Sequence, residues 1–241
     1  MNSLVKRLSV PVALIAIALA GAGTLWQATT VNAAEEAVTL PAPTLDPPDS
    51  SGALQTAVIA GGCFWGVQAV FQHTDGVINA VSGYAGGTVK DPSYEQVTTG
   101  STGHAESVAI RYDPTKISYG KLLQIFFSVA HDPTQLNRQG PDSGTQYRSA
   151  IYTTTDEQKR VAEAYIAQLT DAKVYGGKIV TELKPLDTFY PAEDYHQDYA
   201  TLNPSAFYIV INDLPKIKNM EAMFPDLWRA QPKLVSEAKS G

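Results

Sequence analysis

The chain has 241 residues, 44% of them apolar and 17% charged, with a formal net charge of -6. That composition fits a soluble globular protein with one well-filled core rather than two. The acidic balance, and the lack of any run of Lys and Arg interleaved with aromatics, argue against a nucleic-acid partner.

Residues 1–33 read as a secretory signal. Lys6 and Arg7 precede the apolar run "LSVPVALIAIALAGAG", and Val31 and Ala33 stand where a small-residue cleavage site needs them. Periplasmic or secreted localisation follows from it. The alternative is an uncleaved membrane anchor, against which Pro11, Gly21, Gly23 and the short run count. Residues 34–53 are rich in proline and predict an extended, semi-rigid linker with nothing to pack. A catalytic domain is expected over 54–228 and a C-terminal tail over 229–241.

"TAVIA" at 56–60 predicts a strand buried on both faces, running into Gly61-Gly62-Cys63. Phe64, Val67, Val70 and Phe71 then recur at helical spacing. "GVINAVSGYAGG" predicts a second strand and "HAESVAIRY" a third, with Glu106, Val108, Ile110 and Tyr112 on one face. Ser118 is placed to cap a helix carrying Tyr119, Leu122, Leu123 and Phe126. "YRSAIYT" is a fourth strand, with Tyr147 sharing the parity of Ile151. Thr155 and Gln158 predict a capping box for the next helix, with Gly176-Gly177 after its end. "KIVTELKPL" and "AFYIVI" are later strand candidates, and a loop with a short helix closes the chain. Strands mixed with helices predict an α+β two-layer sandwich with a mixed sheet.

Cys63 is the only cysteine in the chain. At a strand-to-helix turn, unpaired amides and the helix dipole stabilise a thiolate and lower the thiol pKa. The competing reading is a small buried hydrophobe. Glu106, on the core-facing parity, would lose hydration and stay protonated, which suits a proton donor; otherwise it simply meets water. Tyr94 and Tyr147 read singly as packing residues with a satisfied hydroxyl. The histidines His73, His104, His131 and His196 have no metal-ligand spacing, so no metal is expected. A papain-like thiol hydrolase using His104, His131 or His196 is the rival class of enzyme.

The strings "GGCFWG", "SGYAGG", "PSYEQV", "TGHAESV", "HDPTQLNRQGPDSGTQYRSAIY" and "PAEDYHQDY" together resemble the peptide methionine sulfoxide reductase A (MsrA) family. They occur in the family's order from about Ala57 to Asn203, and "INDLPK" extends the likeness. The resemblance implies a ferredoxin-like two-layer α/β sandwich. It implies Cys63 as nucleophile on the sulfoxide sulfur, Glu106 as the acid that protonates the oxygen, and Tyr94 and Tyr147 as hydrogen-bond donors beside it. Asp142 would orient this network, while Phe64, Trp65 and Tyr195 would cradle the methyl group of an S-epimer sulfoxide. Many members carry further cysteines that resolve the sulfenic acid, and Thr98 falls where some have one. This chain has none, so the resemblance implies resolution by an external thiol, from a thioredoxin-like protein or a low-molecular-weight compound. No cofactor is expected, and the chain is expected to be a monomer.

Overall fold

The computed structural model describes residues 36–47 and 52–238. The expected signal at 1–33 lies outside the described residues. Among those described, no helix is long and apolar enough to cross a membrane.

Among the described residues eight strands form, in chain order, β1 (Gln55–Gly61), β2 (Val77–Ala85), β3 (Ala105–Tyr112), β4 (Arg138–Gln139), β5 (Asp142–Ser143), β6 (Ser149–Thr153), β7 (Glu182–Pro185) and β8 (Phe189–Pro191). Six of them make one mixed sheet in the order β7-β6-β1-β3-β2-β8, with only the β6–β7 pair parallel. The short β4 and β5 pair with each other. The continuous apolar run of β1 has the expected cause. Ala57 and Ile59 join the main core, while Val58 and Ala60 join a smaller cluster with Ala150 and Tyr152.

Among the described residues the α-helices are α1 (Phe64–Gln72), α2 (Tyr94–Thr98), α3 (Tyr119–Ile125), α4 (Asp156–Asp171), α5 (Tyr199–Leu202), α6 (Leu214–Met223) and α7 (Val235–Ala238). The main core joins Val67, Val70 and Phe71 of α1, Leu122 and Leu123 of α3, and Val161 and Tyr165 of α4 to Ile59, Val108 and Ile110 of the sheet. This is the helix layer of a two-layer α+β sandwich. β3 alternates as predicted, with Val108, Ile110 and Tyr112 all in the main core.

Five local expectations are corrected. Residues 36–47 are no free linker: Leu40 is buried, and the carbonyls of Leu40, Pro41 and Ala42 accept hydrogen bonds from Gln124, Tyr165 and Gln168. An extended proline-rich chain has no internal hydrogen bonds, so its carbonyls find partners on α3 and α4. Beyond 228 the chain also stays on the domain, where the Arg229 and Lys233 amides bond to His73 and Gln72 carbonyls.

"AFYIVI" is helical rather than a strand. It enters a π turn at Ile209–Asp213, and Val210 N donates to Ala206 O at 2.9 Å. A short apolar run does not by itself distinguish strand from helix. Tyr147 lies in a 3-10 turn, Thr145–Tyr147, because β6 begins only at Ser149, the partner of the last residue of β1. The Thr155 box is half formed: Thr155 Oγ1 accepts from Gln158 N, but the Gln158 side chain accepts from Thr154 N at 3.0 Å. The full reciprocal box is on α2, between Ser93 and Gln96.

Candidate active site

The site is built where β1 turns into α1. Gly62 adopts φ +85°, and a Cβ there would stand 2.5 Å from Gln139, so the turn needs glycine. Cys63 follows as the N-cap of α1, with 8% of its surface exposed. It opens into a small pocket lined by Gln139, Pro141, Asp142, Tyr208, Asn212 and Lys216.

The helix end is where the sequence predicts it, but the expected fall in thiol pKa is not. Burial pushes the Cys63 thiol well up, and the charges of Asp213 and Glu106 add to it. The Trp65 amide and Lys216 act in the opposite direction and are outweighed. A helix dipole contributes a partial charge, whereas two carboxylates and dehydration each act with more.

Glu106 projects from β3 to the same turn. It is 2% exposed, and its Oε2 accepts from Phe64 N at 3.0 Å. Burial pushes its carboxyl up to about 8, the Phe64 amide opposes this, and Asp142 and Asp213 raise it further. A neutral carboxylic acid therefore stands beside the first turn of α1.

Tyr94 and Tyr147 converge on the same place. Burial raises the Tyr94 hydroxyl to about 12 and that of Tyr147 higher, and both feel the charges of Glu106 and Cys63. Asp142, half-buried on β5, accepts a hydrogen bond from the Tyr208 hydroxyl, and burial raises its carboxyl.

The aromatic residues gather around His196. Its ring lies 5.1 Å from Phe64, 5.9 Å from Trp65, 4.4 Å from Tyr94 and 4.2 Å from Tyr195. Trp65 Nε1 donates to His196 Nδ1 at 3.2 Å, and the indole stacks on Tyr199 at 4.0 Å. Phe64 is fully buried, whereas Tyr195 is 59% exposed at the rim. Glu193 accepts from the Tyr94 amide and the Tyr84 hydroxyl, both at 2.8 Å, and so holds α2 against β2.

The hydrolase alternative has no geometry to support it. The ring hydrogen bonds of His104, His131 and His196 run to the Val89 carbonyl, the Ser149 hydroxyl and Trp65 rather than to Cys63. Among the described residues, no group of three His, Cys, Asp or Glu side chains is placed to hold a metal ion.

The eight predicted site residues thus divide around one turn: Cys63, Glu106, Tyr94, Tyr147 and Asp142 converge, while Phe64, Trp65 and Tyr195 form the aromatic side. Sequence reasoning missed Tyr208, Asn212, Asp213 and Lys216, which come from the segment read as a strand and loop. Their signal was the Asp-Leu-Pro of "INDLPK", a helix start with proline in its first turn. Glu193 and His196 were quoted within "PAEDYHQDY" without a role at this site.

A family model described as "Peptide methionine sulfoxide reductase" matches residues 55–227. Among curated proteins, peptide methionine sulfoxide reductase MsrA 2 of Mesorhizobium japonicum is 61% identical over 186 residues, 77% of this chain and 95% of that one. The MsrA 2 of Synechocystis sp. is 52% identical, covering 73% of this chain and 83% of its own. Among solved structures, reduced Mxr1 of Saccharomyces cerevisiae has a TM-score of 0.58 at 33% identity, covering 68% of this chain and 93% of that one. Methionine sulfoxide reductase A of Corynebacterium diphtheriae has a TM-score of 0.56 at 36% identity, covering 72% and 90%. With the turn, the neutral acid and these relatives in agreement, the chain belongs to the peptide methionine sulfoxide reductase A family.

Proposed function

We propose that Cys63 carries out the reduction of methionine sulfoxide with Glu106 as its proton donor. The observation that carries this reading is the Glu106 carboxyl bonded to the amide of the residue after Cys63, buried and held neutral. A sulfoxide is a poor electrophile until its oxygen receives a proton, so a sulfur nucleophile needs a neutral acid beside it.

In the proposed reaction Cys63 sulfur attacks the sulfoxide sulfur while Glu106 protonates the oxygen, supported by Tyr94 and Tyr147. The oxygen passes to Cys63, which becomes a sulfenic acid, and methionine leaves as the thioether. The sulfoxide sulfur gains two electrons and the cysteine sulfur loses two. The proton given by Glu106 stays on the transferred oxygen as that of the sulfenic acid, and the proton lost by the thiol returns Glu106 to its acid form. Asp142 orients the pocket through Tyr208, and Phe64, Trp65 and Tyr195 receive the methyl group of the S epimer, free or within a protein.

With one cysteine in the 241 residues, the sulfenic acid meets an external thiol. A first thiol forms a mixed disulfide and releases water, and a second restores Cys63 and leaves as the disulfide. The thiol belongs to a thioredoxin-like protein or a small compound. The signal read at 1–33 makes oxidised exported proteins the substrates, which N-terminal sequencing of the protein recovered from cells would test.

Single-turnover measurements decide the central assignment. Cys63→Ser is expected to abolish methionine formation, and Glu106→Gln to slow it by ~10²–10⁴. An unchanged rate in either variant rejects the role given to that residue.

A further inference from the structure

Asp213 is a buried acid whose side chain does not cap its own helix. It occupies the N-cap of α6, yet its carboxylate makes no capping hydrogen bond. It is 0% exposed, and neither carboxylate oxygen has a hydrogen-bond partner. The side chain turns instead to the first turn of α1, where Gly66 makes room for it: a Cβ at Gly66 would stand 2.1 Å from Asp213 Oδ1. Lys216 Nζ lies 3.6 Å from the same oxygen, an ion contact longer than a hydrogen bond, with the lysine side chain 7% exposed. Lys216 also lines the Cys63 pocket.

Buried carboxylate oxygens without hydrogen bonds are costly, and native structures keep few of them. Here such a carboxylate contacts a lysine that also lines the pocket of the thiol. The proposed chemistry also leaves a vacancy in its proton traffic. Glu106 must hold a proton for the sulfoxide oxygen, so it cannot accept the thiol proton at the same moment.

We propose that Asp213 and Lys216 act as a charge-exchange pair for Cys63: Asp213 takes up the proton the thiol releases, and the Lys216 ammonium shifts its ionic contact from the carboxylate to the thiolate. Thiol, carboxylate and ammonium become thiolate, carboxylic acid and ammonium, so the net charge of the buried group is unchanged. No electrons move in this step, and the proton passes on to Glu106 once that acid has given its own to the sulfoxide oxygen. The proposal rests on Cys63 being the attacking thiol.

The electrostatics agree with the geometry. Asp213 is the strongest charge holding the thiol protonated, and Lys216 acts the other way. Burial pushes Asp213 up to about 6, which brings its proton affinity towards that of the thiol. The other ionisable groups facing Cys63 are Glu106 on β3, Asp142 on β5, Tyr94 on α2, Tyr147 in the 3-10 turn and Tyr208 before α6. His131, packed on Gly61, is held neutral by burial. None of these supplies a positive charge, so Lys216 is the cation to remove.

The test is the pH dependence of Cys63 alkylation by iodoacetamide in the full chain, read by intact mass. Asp213→Asn is expected to lower the midpoint by about one pH unit and Lys216→Met to raise it by about one. Lys216→Arg is expected to stay near the wild type. A merely structural ion pair would loosen the site when broken from either side, so both midpoints moving in one direction, or neither moving, overturns the proposal. If Asp213→Asn does not fold by circular dichroism, equal midpoints for Lys216→Met and Lys216→Arg overturn it instead. Alkylation reads the thiol itself, so this result is separate from sulfoxide reduction by Cys63→Ser, which would overturn the underlying reading.

Discussion

Burial pushes the Glu106 carboxyl up to about 8, so it keeps its proton through the neutral range. On the proposed mechanism, sulfenic acid formation holds its rate up to about pH 7 and falls as pH passes through about 8, where the donor is lost. In Glu106→Gln the residual rate has no such falling limb, because the amide does not titrate there. Stopped-flow single turnovers of both proteins across pH would show the difference, and a limb that survives in the variant belongs to another group. Stability moves with the same proton. A carboxyl raised from an ordinary value of 4.5 favours the fold below pH 4.5, and that contribution is lost as pH rises through about 8. Glu106→Gln should therefore unfold at a higher temperature than the wild type at pH 9, and the gap should narrow at pH 5.

The segment at 36–47 behaves as an element, although it has neither helix nor strand. Leu40 fills the edge of the main core, and Asp46 accepts from the Ser118 hydroxyl and the Gly120 amide, completing the N-terminal cap of α3. Leu40→Ala is expected to cost about 2 kcal/mol, and Asp46→Ala about 1 kcal/mol. Urea unfolding of the two variants measures both, and a true tether would give no change in either. Proline content led the sequence reading to a linker because composition reports stiffness and says nothing of anchors such as Leu40. Elsewhere the sequence was more legible. The alternation of β3 placed Glu106 correctly, since a period of two is an intrinsic property of a strand. The failures lie where the tertiary setting decides: "AFYIVI" is helical although its short apolar run also suits a strand, and burial, with the charge of Asp213 150 residues beyond Cys63, reversed the expected direction of the thiol shift. Local spacing placed the helix end; it carried no information about the carboxylates that fold against it.

At the scale of the whole molecule, a buried thiol with no second cysteine constrains the order of events. Cys63 is 8% exposed and opens into a small pocket, and on the proposed mechanism sulfoxide and reducing thiol react in turn at this one sulfur. On that mechanism methionine leaves before the thiol attacks, and the enzyme between them is the sulfenic acid form. Ping-pong kinetics follow, with two thiols consumed per sulfoxide. Double-reciprocal plots against sulfoxide at several dithiothreitol concentrations should be parallel, and high sulfoxide should inhibit by occupying the reduced pocket's counterpart in the oxidised form. Intersecting lines would mean that both ligands bind together and would overturn this order of events. Without any thiol, one equivalent of methionine should form and the intact mass should rise by a single oxygen. Methionine formed beyond that equivalent would require an electron source other than the one cysteine, and the one-thiol cycle would have to be given up.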